Sequence, residues 1–159
     1  MNALEHPAEV SAGMSMLAVA SVGDLEVRSC GSVATDTPLW KVVDEMTSHG
    51  RGCVLVVDDN TLVGIFTERD LINRVDHSDP VWSQIAVRDL MTPYPMVIRP
   101  EDSLAEAIRR LMAGHRRHLP VVDERGIRGV ISIRDILAYI AERFPEEMMN
   151  LPPDPTHES

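Results

Sequence analysis

Hydrophobic positions along this chain follow two rhythms, and the pair of rhythms occurs twice in the same order. Leu39, Val42, Val43 and Met46 fall three and four residues apart, which predicts the buried face of an amphipathic helix. Leu104, Ala107, Ile108 and Leu111 repeat that spacing. Each helix carries a start signal, Thr37-Pro38 in the first and Ser103 with Glu106 in the second, and Gly50 or Gly114 closes it. A short extended piece precedes each helix, at Val33 and at Val97-Ile98. Apolar runs of strand length follow, Cys53 to Val57 and Leu119 to Val122. Turns at Asp58-Asp59-Asn60 and Asp123-Glu124-Arg125-Gly126 lead into second strands, Leu62 to Thr67 and Ile127 to Ser132. A closing helix then carries Leu71, Ile72 and Val75, or Ile136, Leu137 and Ile140.

The two passes keep a constant offset of 65 residues. Val22, Asp24 and Leu25 match Val87, Asp89 and Leu90; Arg51 matches Arg116; Val56-Val57-Asp58 matches Val121-Val122-Asp123; Gly64, Arg69 and Asp70 match Gly129, Arg134 and Asp135. One register held over so long a span marks an internal duplication. The organisation read from it is an N-terminal arm (1–21), a first copy (22–76), a connector (77–86), a second copy (87–143) and a proline-rich tail (144–159). A unit of helix, strand, turn, strand and helix cannot bury its sheet alone, so the copies are expected to pack sheet to sheet around one shared core.

Composition narrows the function. A chain of 159 residues with 44% apolar content can bury a real core, and aromatics at 4% leave that core to Val, Ile, Leu and Met. The net charge of −10 argues against nucleic-acid binding. Cys30 and Cys53 have no zinc-type spacing, so no metal is expected; they leave a single disulfide open, with two buried free thiols in a reducing cytoplasm the preferred reading. The apolar run Met14 to Val22 is too short for a membrane span, and the first residues lack a basic region, which places the protein in the cytoplasm without membrane attachment.

The candidate chemistry lies at the ends of the second strands. Gly64-Ile65-Phe66-Thr67-Glu68-Arg69-Asp70 and Gly129-Val130-Ile131-Ser132-Ile133-Arg134-Asp135 each place a hydroxyl at a strand end and a carboxylate in the next helical turn. That pairing suits a polyol phosphate, and it equally suits a helix cap, worth about 0.5–2 kcal/mol without any ligand. The basic run Arg109-Arg110 and His115-Arg116-Arg117-His118 stands out in an acidic chain. Arg117 and His118 lead into a strand and read as a phosphate clamp, which the first copy lacks because Gly52 and Cys53 stand there. The second copy is therefore expected to hold the better anion site. Trp40, Ala105, Met112 and Tyr139 lie off the apolar stripes and are candidates for a dimer surface. No nucleophile elbow, metal cluster or Walker loop is present, so no enzyme is expected.

Taken in order and twice, Val87-Arg88-Asp89-Leu90-Met91-Thr92, His118-Leu119-Pro120-Val121-Val122-Asp123 and the Gly129-to-Asp135 motif resemble the tandem CBS-domain pair, or Bateman module, over residues 22 to 143. The first copy departs from the pattern at Glu26-Val27, where the second has Met91-Thr92. The resemblance implies an α/β (α+β) fold of two βαββα repeats related by a pseudo-twofold axis, with two clefts. It implies a regulatory adenosyl ligand (AMP, ADP or ATP; alternatively NAD or S-adenosylmethionine) and no catalysis. By motif, Asp70 and Asp135 would accept from ribose hydroxyls, and Thr67 and Ser132 would meet ribose or phosphate at a helix N-terminus. The base would lie against Val33, Ile65, Ile98 and Val130. Modules of this kind often form homodimers, and this one would act in trans on an effector protein. The remaining alternative is a structural dimerisation module whose clefts are vestigial.

Overall fold

Alternation in the paired strands sets the layers. In the computed structural model, which describes residues 15–143 and residue 145, β1 (Ser32–Ala34), β2 (Cys53–Asp58), β3 (Thr61–Thr67) and β4 (Thr92–Pro93) form one sheet in that order. β1 runs parallel to β2, and the other pairs are antiparallel. β2 and β3 are joined by Asp59-Asn60, both with positive φ (44° and 61°), the geometry a tight two-residue hairpin requires. β5 (His118–Asp123) and β6 (Gly126–Ser132) form the second hairpin. Its register break at Val121/Val122 matches the one at Val56/Val57 in the first. Ile98 bridges Val121 in parallel, as Val33 pairs with Val56 one repeat earlier.

Successive strand residues face opposite ways. Val54, Val56 and Phe66 turn outward onto α1 (Leu39–Ser48), which buries Leu39, Val42 and Met46. Leu119, Val121 and Ile131 do the same with α3 (Leu104–Ala113), which buries Leu104, Ala107 and Leu111. The intervening residues Cys53, Leu55 and Ile65 meet Val130 between the sheets. The single core expected from the sequence is thus resolved into two helix-on-sheet cores and a smaller inter-sheet cluster, because each strand has two buried faces. α2 (Glu68–Arg74) and α4 (Ile133–Arg143) follow β3 and β6.

The copies are interlocked. The Leu39 N–H donates to the Ile85 carbonyl (3.0 Å) and the Leu104 N–H to the Ala20 carbonyl (2.9 Å). Val87 N–H donates to Thr37 (2.9 Å) and Val22 N–H to Asp102 (2.8 Å). Every pair recurs at the 65-residue offset. Each copy's lead-in segment therefore closes the helix start of the other copy. Val22 and Leu25 are buried in the second core and Val87 in the first. The lead-in also extends the other sheet: Thr92 pairs with Ile65, and Arg28 bridges Val130. Gly64 and Gly129 allow the crossing. A Cβ on Gly64 would strike the Met91 sulfur, and one on Gly129 (φ 144°) would strike the Arg28 carbonyl oxygen.

Of the arm expected over residues 1–21, residues 15–19 are helical, Ala20 is buried and Ser21 bridges Ser103. That part belongs to the folded body because the Ala20 carbonyl accepts from the first residue of α3; residues 1–14 lie outside the described residues. So does the tail of 144–159, apart from Pro145. No helix among the described residues is long and apolar enough to cross a membrane.

Candidate functional site

A cleft of about 320 Å³ opens at the junction of α2, β4 and the α3–β5 loop. Its walls bring Ile65, Thr67 and Asp70 of the first copy against Arg116, Arg117 and His118 of the second. Arg69, Arg74, Thr92, Pro95 and Met96 complete much of the rest. Cavities of this size are in the range that holds small-molecule ligands.

Thr67 and Asp70 are positioned by the start of α2. Asp70 Oδ2 accepts from the Thr67 N–H (2.9 Å) and from its hydroxyl (2.8 Å), while the Asp70 N–H donates to Thr67 Oγ1 at 3.3 Å. This is a reciprocal cap in which an aspartate takes the role usually given to glutamate. Asp70 is the buried charged residue of the described core, and its other oxygen, Oδ1, meets Arg74 Nε at 3.1 Å. In the second copy Asp135 Oδ2 accepts from the Ser132 N–H (2.7 Å) and hydroxyl (2.8 Å). Its Oδ1 lies 4.0 Å from Arg28 Nε, a looser pairing. Both aspartates accept from the backbone and hydroxyl of the residue three before them; the return bond from the aspartate N–H is found in the first copy, and the outer carboxylate oxygens are held differently.

The wall opposite Asp70 is cationic. Arg69 Nη1 donates to the His115 carbonyl at 2.8 Å and so ties the α3–β5 loop to α2. Arg116 and Arg117 are exposed on that loop. His118 is half-buried, its Nδ1 has no hydrogen-bond partner, and burial, followed by the charge of Arg51, draws its pKa below the usual 6.5. Arg109 and Arg110, from the same basic run, take no part in the cleft. Both bind Glu106 (2.7 and 2.6 Å), and Arg110 also donates to the Val97 carbonyl at 2.6 Å. Those guanidinium bonds hold the Glu106 carboxyl at about 2.

Several expectations are revised by these positions. Arg117 and His118 were grouped with the second copy's motif, yet they line the cleft that holds Thr67 and Asp70 of the first. The pseudo-twofold packing sets the start of one copy's strand against the start of the other copy's helix. His118 also pairs with Ser132 across the hairpin, so it stands between the two motifs. Ser132, Asp135 and Val130 do not line this cleft. Ile98 offers no surface to a ligand, since its side chain is wholly buried in the second core. Val33 packs against the first core, leaving Ile65 as the apolar strand residue that reaches the cleft. Tyr139 packs against the second core, whereas Trp40, Ala105 and Met112 are exposed.

Arg69 and Arg116 stand inside patterns visible in the sequence, the repeated motif and the basic run, without being read there as site residues, and Arg74 is not among the sequence-read candidates. Arg74 carried a readable signal, its i,i+4 spacing from Asp70. Thr92 and Met96 carried none: the exchange of lead-in segments pairs Thr92 with Ile65, and Met96 reaches the cleft wall just beyond it. Among the described residues no group of three or more His, Cys, Asp or Glu could hold a metal ion.

Two interlocked copies enclosing a cleft with a capped carboxylate on one wall and cations on the other define a duplicated binding module. The CBS domain matches the chain twice, at residues 22–77 and 87–142, and the chain belongs to that family. It is similar to the CBS domain-containing protein CBSX3, mitochondrial, of Arabidopsis thaliana, with 30% identity over 122 residues, covering 74% of this chain and 59% of that protein. The chain spans 36% and 59% of the length of the first two curated relatives it matches. Among solved structures, CBSX2 of Arabidopsis thaliana in complex with AMP is 27% identical with a TM-score of 0.66, covering 77% of this chain and 97% of that one. A CBS-domain containing protein of Agrobacterium tumefaciens is 28% identical with a TM-score of 0.65, covering 70% and 90%. The mixed α/β architecture with paired repeats agrees with the fold read from the sequence.

Proposed function

We propose that this chain is a regulatory module that binds an adenosyl nucleotide (AMP, ADP or ATP) in the cleft between its copies and responds by changing shape, without catalysis. One observation carries the reading: Thr67 and Asp70 share a single cleft with Arg69, Arg116 and Arg117. A buried carboxylate accepts ribose hydroxyls, and guanidinium groups suit phosphate. In this reading Asp70 takes the ribose, Thr67, Arg117 and His118 meet phosphate, and Ile65 supplies an apolar floor. Ser132, Asp135 and Val130 form the matching set of the second copy. The AMP complex of CBSX2 supports the ligand class.

The output passes to a partner protein and requires a ligand that favours one of two shapes. Exposed Trp40, Met112, Ile72 and Leu137 support assembly as a homodimer. The unbridged Cys30 and Cys53 support a reducing, cytoplasmic setting.

A second reading has its own observation, since the capping bonds already fill Oδ2 of both aspartates. It makes the motifs helix caps in a structural dimerisation module. Thermal unfolding with AMP, ADP, ATP, NAD and S-adenosylmethionine separates the two. A ligand at one hundred times its dissociation constant adds about 2.7 kcal/mol. The expected result is a ligand-induced rise in wild type that is lost in Asp70→Ala and kept, at least in part, in Asp135→Ala. No rise with any of the five ligands leaves the structural reading standing.

A further inference from the structure

Cys30 and Cys53 form a thiol pair that nucleotide binding leaves unused. The parallel pairing of β1 with β2 sets Ser32 opposite Leu55, and the Leu55 N–H donates to the Gly31 carbonyl at 2.9 Å. β1 begins at Ser32, so Cys30 lies two residues ahead of the paired register, whose extension leads to Cys53. Neighbouring strands stand about 4.7–4.9 Å apart, inside the roughly 4.4–6.8 Å between Cα atoms that a disulfide requires. Both side chains enter the inter-sheet cluster with Leu55, Ile65 and Val130. They are the only two cysteines in the chain.

Their counterparts one repeat later are Pro95 and His118, which line the first cleft. The thiols thus take the corresponding place on the Ser132–Asp135 side. They are also chemically unequal. Donation from Cys53, aided by the Arg51 charge, draws the Cys30 thiol down, while the same bond and burial push Cys53 up. Cys30 keeps 8% of its surface exposed and Cys53 none. A nucleophilic thiol beside a resolving one is the arrangement of a reversible oxidation site.

We propose that Cys30 and Cys53 are a redox modification site that a hydroperoxide closes into an intramolecular disulfide. The Cys30 sulfur attacks one peroxide oxygen, the O–O bond breaks, and the departing oxygen takes the Cys30 proton and leaves as water from hydrogen peroxide or as an alcohol from an organic hydroperoxide, giving a sulfenic acid on Cys30. The Cys53 sulfur then attacks the Cys30 sulfur, the S–O bond breaks, and hydroxide leaves with the Cys53 proton as water. With hydrogen peroxide, two thiols become one disulfide and the peroxide becomes two waters. The bond ties β2 of the first sheet to the lead-in segment that crosses to the second sheet at Arg28. It fixes the interlock of the two copies, in keeping with the transient, sensing role of disulfides in reducing compartments.

The test uses the full chain, reduced and then freed of reductant. Folded protein is treated with hydrogen peroxide, remaining thiols are alkylated, and the digest is read by mass spectrometry. The expected product is one Cys30–Cys53 cross-link in protein of monomer mass, reversed by dithiothreitol, with a higher melting temperature than the reduced form. Cys53→Ser is expected to stop at sulfenic acid on Cys30, trapped by dimedone. The proposal is overturned if both thiols stay alkylatable after peroxide. It is equally overturned if cross-linking occurs only in urea or only between two chains.

Discussion

Asp70 and Arg74 stand one turn apart on α2, and their ion pair reaches beyond the helix. The Arg74 Nε lies 3.1 Å from Asp70 Oδ1, and its Nη1 donates to the carbonyls of Leu90 and Met91, each at 3.1 Å. One guanidinium therefore joins the motif aspartate to the lead-in segment of the other copy. The second copy has Tyr139 at the corresponding position, so this link exists on one side only.

A ribose hydroxyl donating to Asp70 Oδ1 competes with that guanidinium for the oxygen's lone pairs. Arg74→Met is expected to tighten AMP binding by up to about fivefold, the equivalent of ~1 kcal/mol for a partly exposed ion pair. Calorimetric titration reads this directly. Weaker binding would mean that Arg74 serves the ligand's phosphate instead.

The crossing of the lead-in segments rests on Gly64 and Gly129, and the two differ in what they meet. Gly129→Ala forces a left-handed residue against the Arg28 carbonyl and is expected to cost about 2–4 kcal/mol from strain and overcrowding together. Gly64→Ala meets the mobile tip of Met91 and is expected to cost about 1 kcal/mol. Urea unfolding of both variants gives the order, and equal costs would show that the two crossings are equally tight.

Protonation of His118 is disfavoured in the folded state, chiefly by burial. Its folded pKa lies below the unfolded one, so the unfolded chain binds the proton first. The stability tied to neutral His118 is present above the usual 6.5 and is lost as pH falls through and below that value. His118→Gln is expected to flatten the fall in melting temperature between about pH 7.5 and pH 5.5 relative to wild type. An unchanged slope would place the titration elsewhere.

Ile98 distinguishes core from site. Ile98→Ala is expected to cost about 2–5 kcal/mol, as for a fully buried aliphatic side chain. AMP affinity, measured well below the melting temperature, is expected to remain at the wild-type value. A loss of affinity without loss of stability would return Ile98 to the binding surface.

The sequence alone determined the duplication, the order of elements and the buried faces of the helices. These follow from local rules: Leu39, Val42 and Met46 are spaced for a helix face, and Thr67 and Ser132 sit where a helix must begin. It also made the Thr67–Asp70 cap legible, because a cap is a contact between near neighbours in the chain. What it left undecided is everything that depends on the exchange of lead-in segments. Residues 20–28 and 85–93 each complete the other copy, through backbone bonds that no hydrophobic period encodes. That exchange placed Thr92 in the cleft wall, and the packing of the two copies set Arg117 and His118 beside the first motif, with His118 between the two, while Ile98 is buried by its own pairing with β5. Periodicity tells which face of an element is buried, and only the packing of distant segments decides what it is buried against.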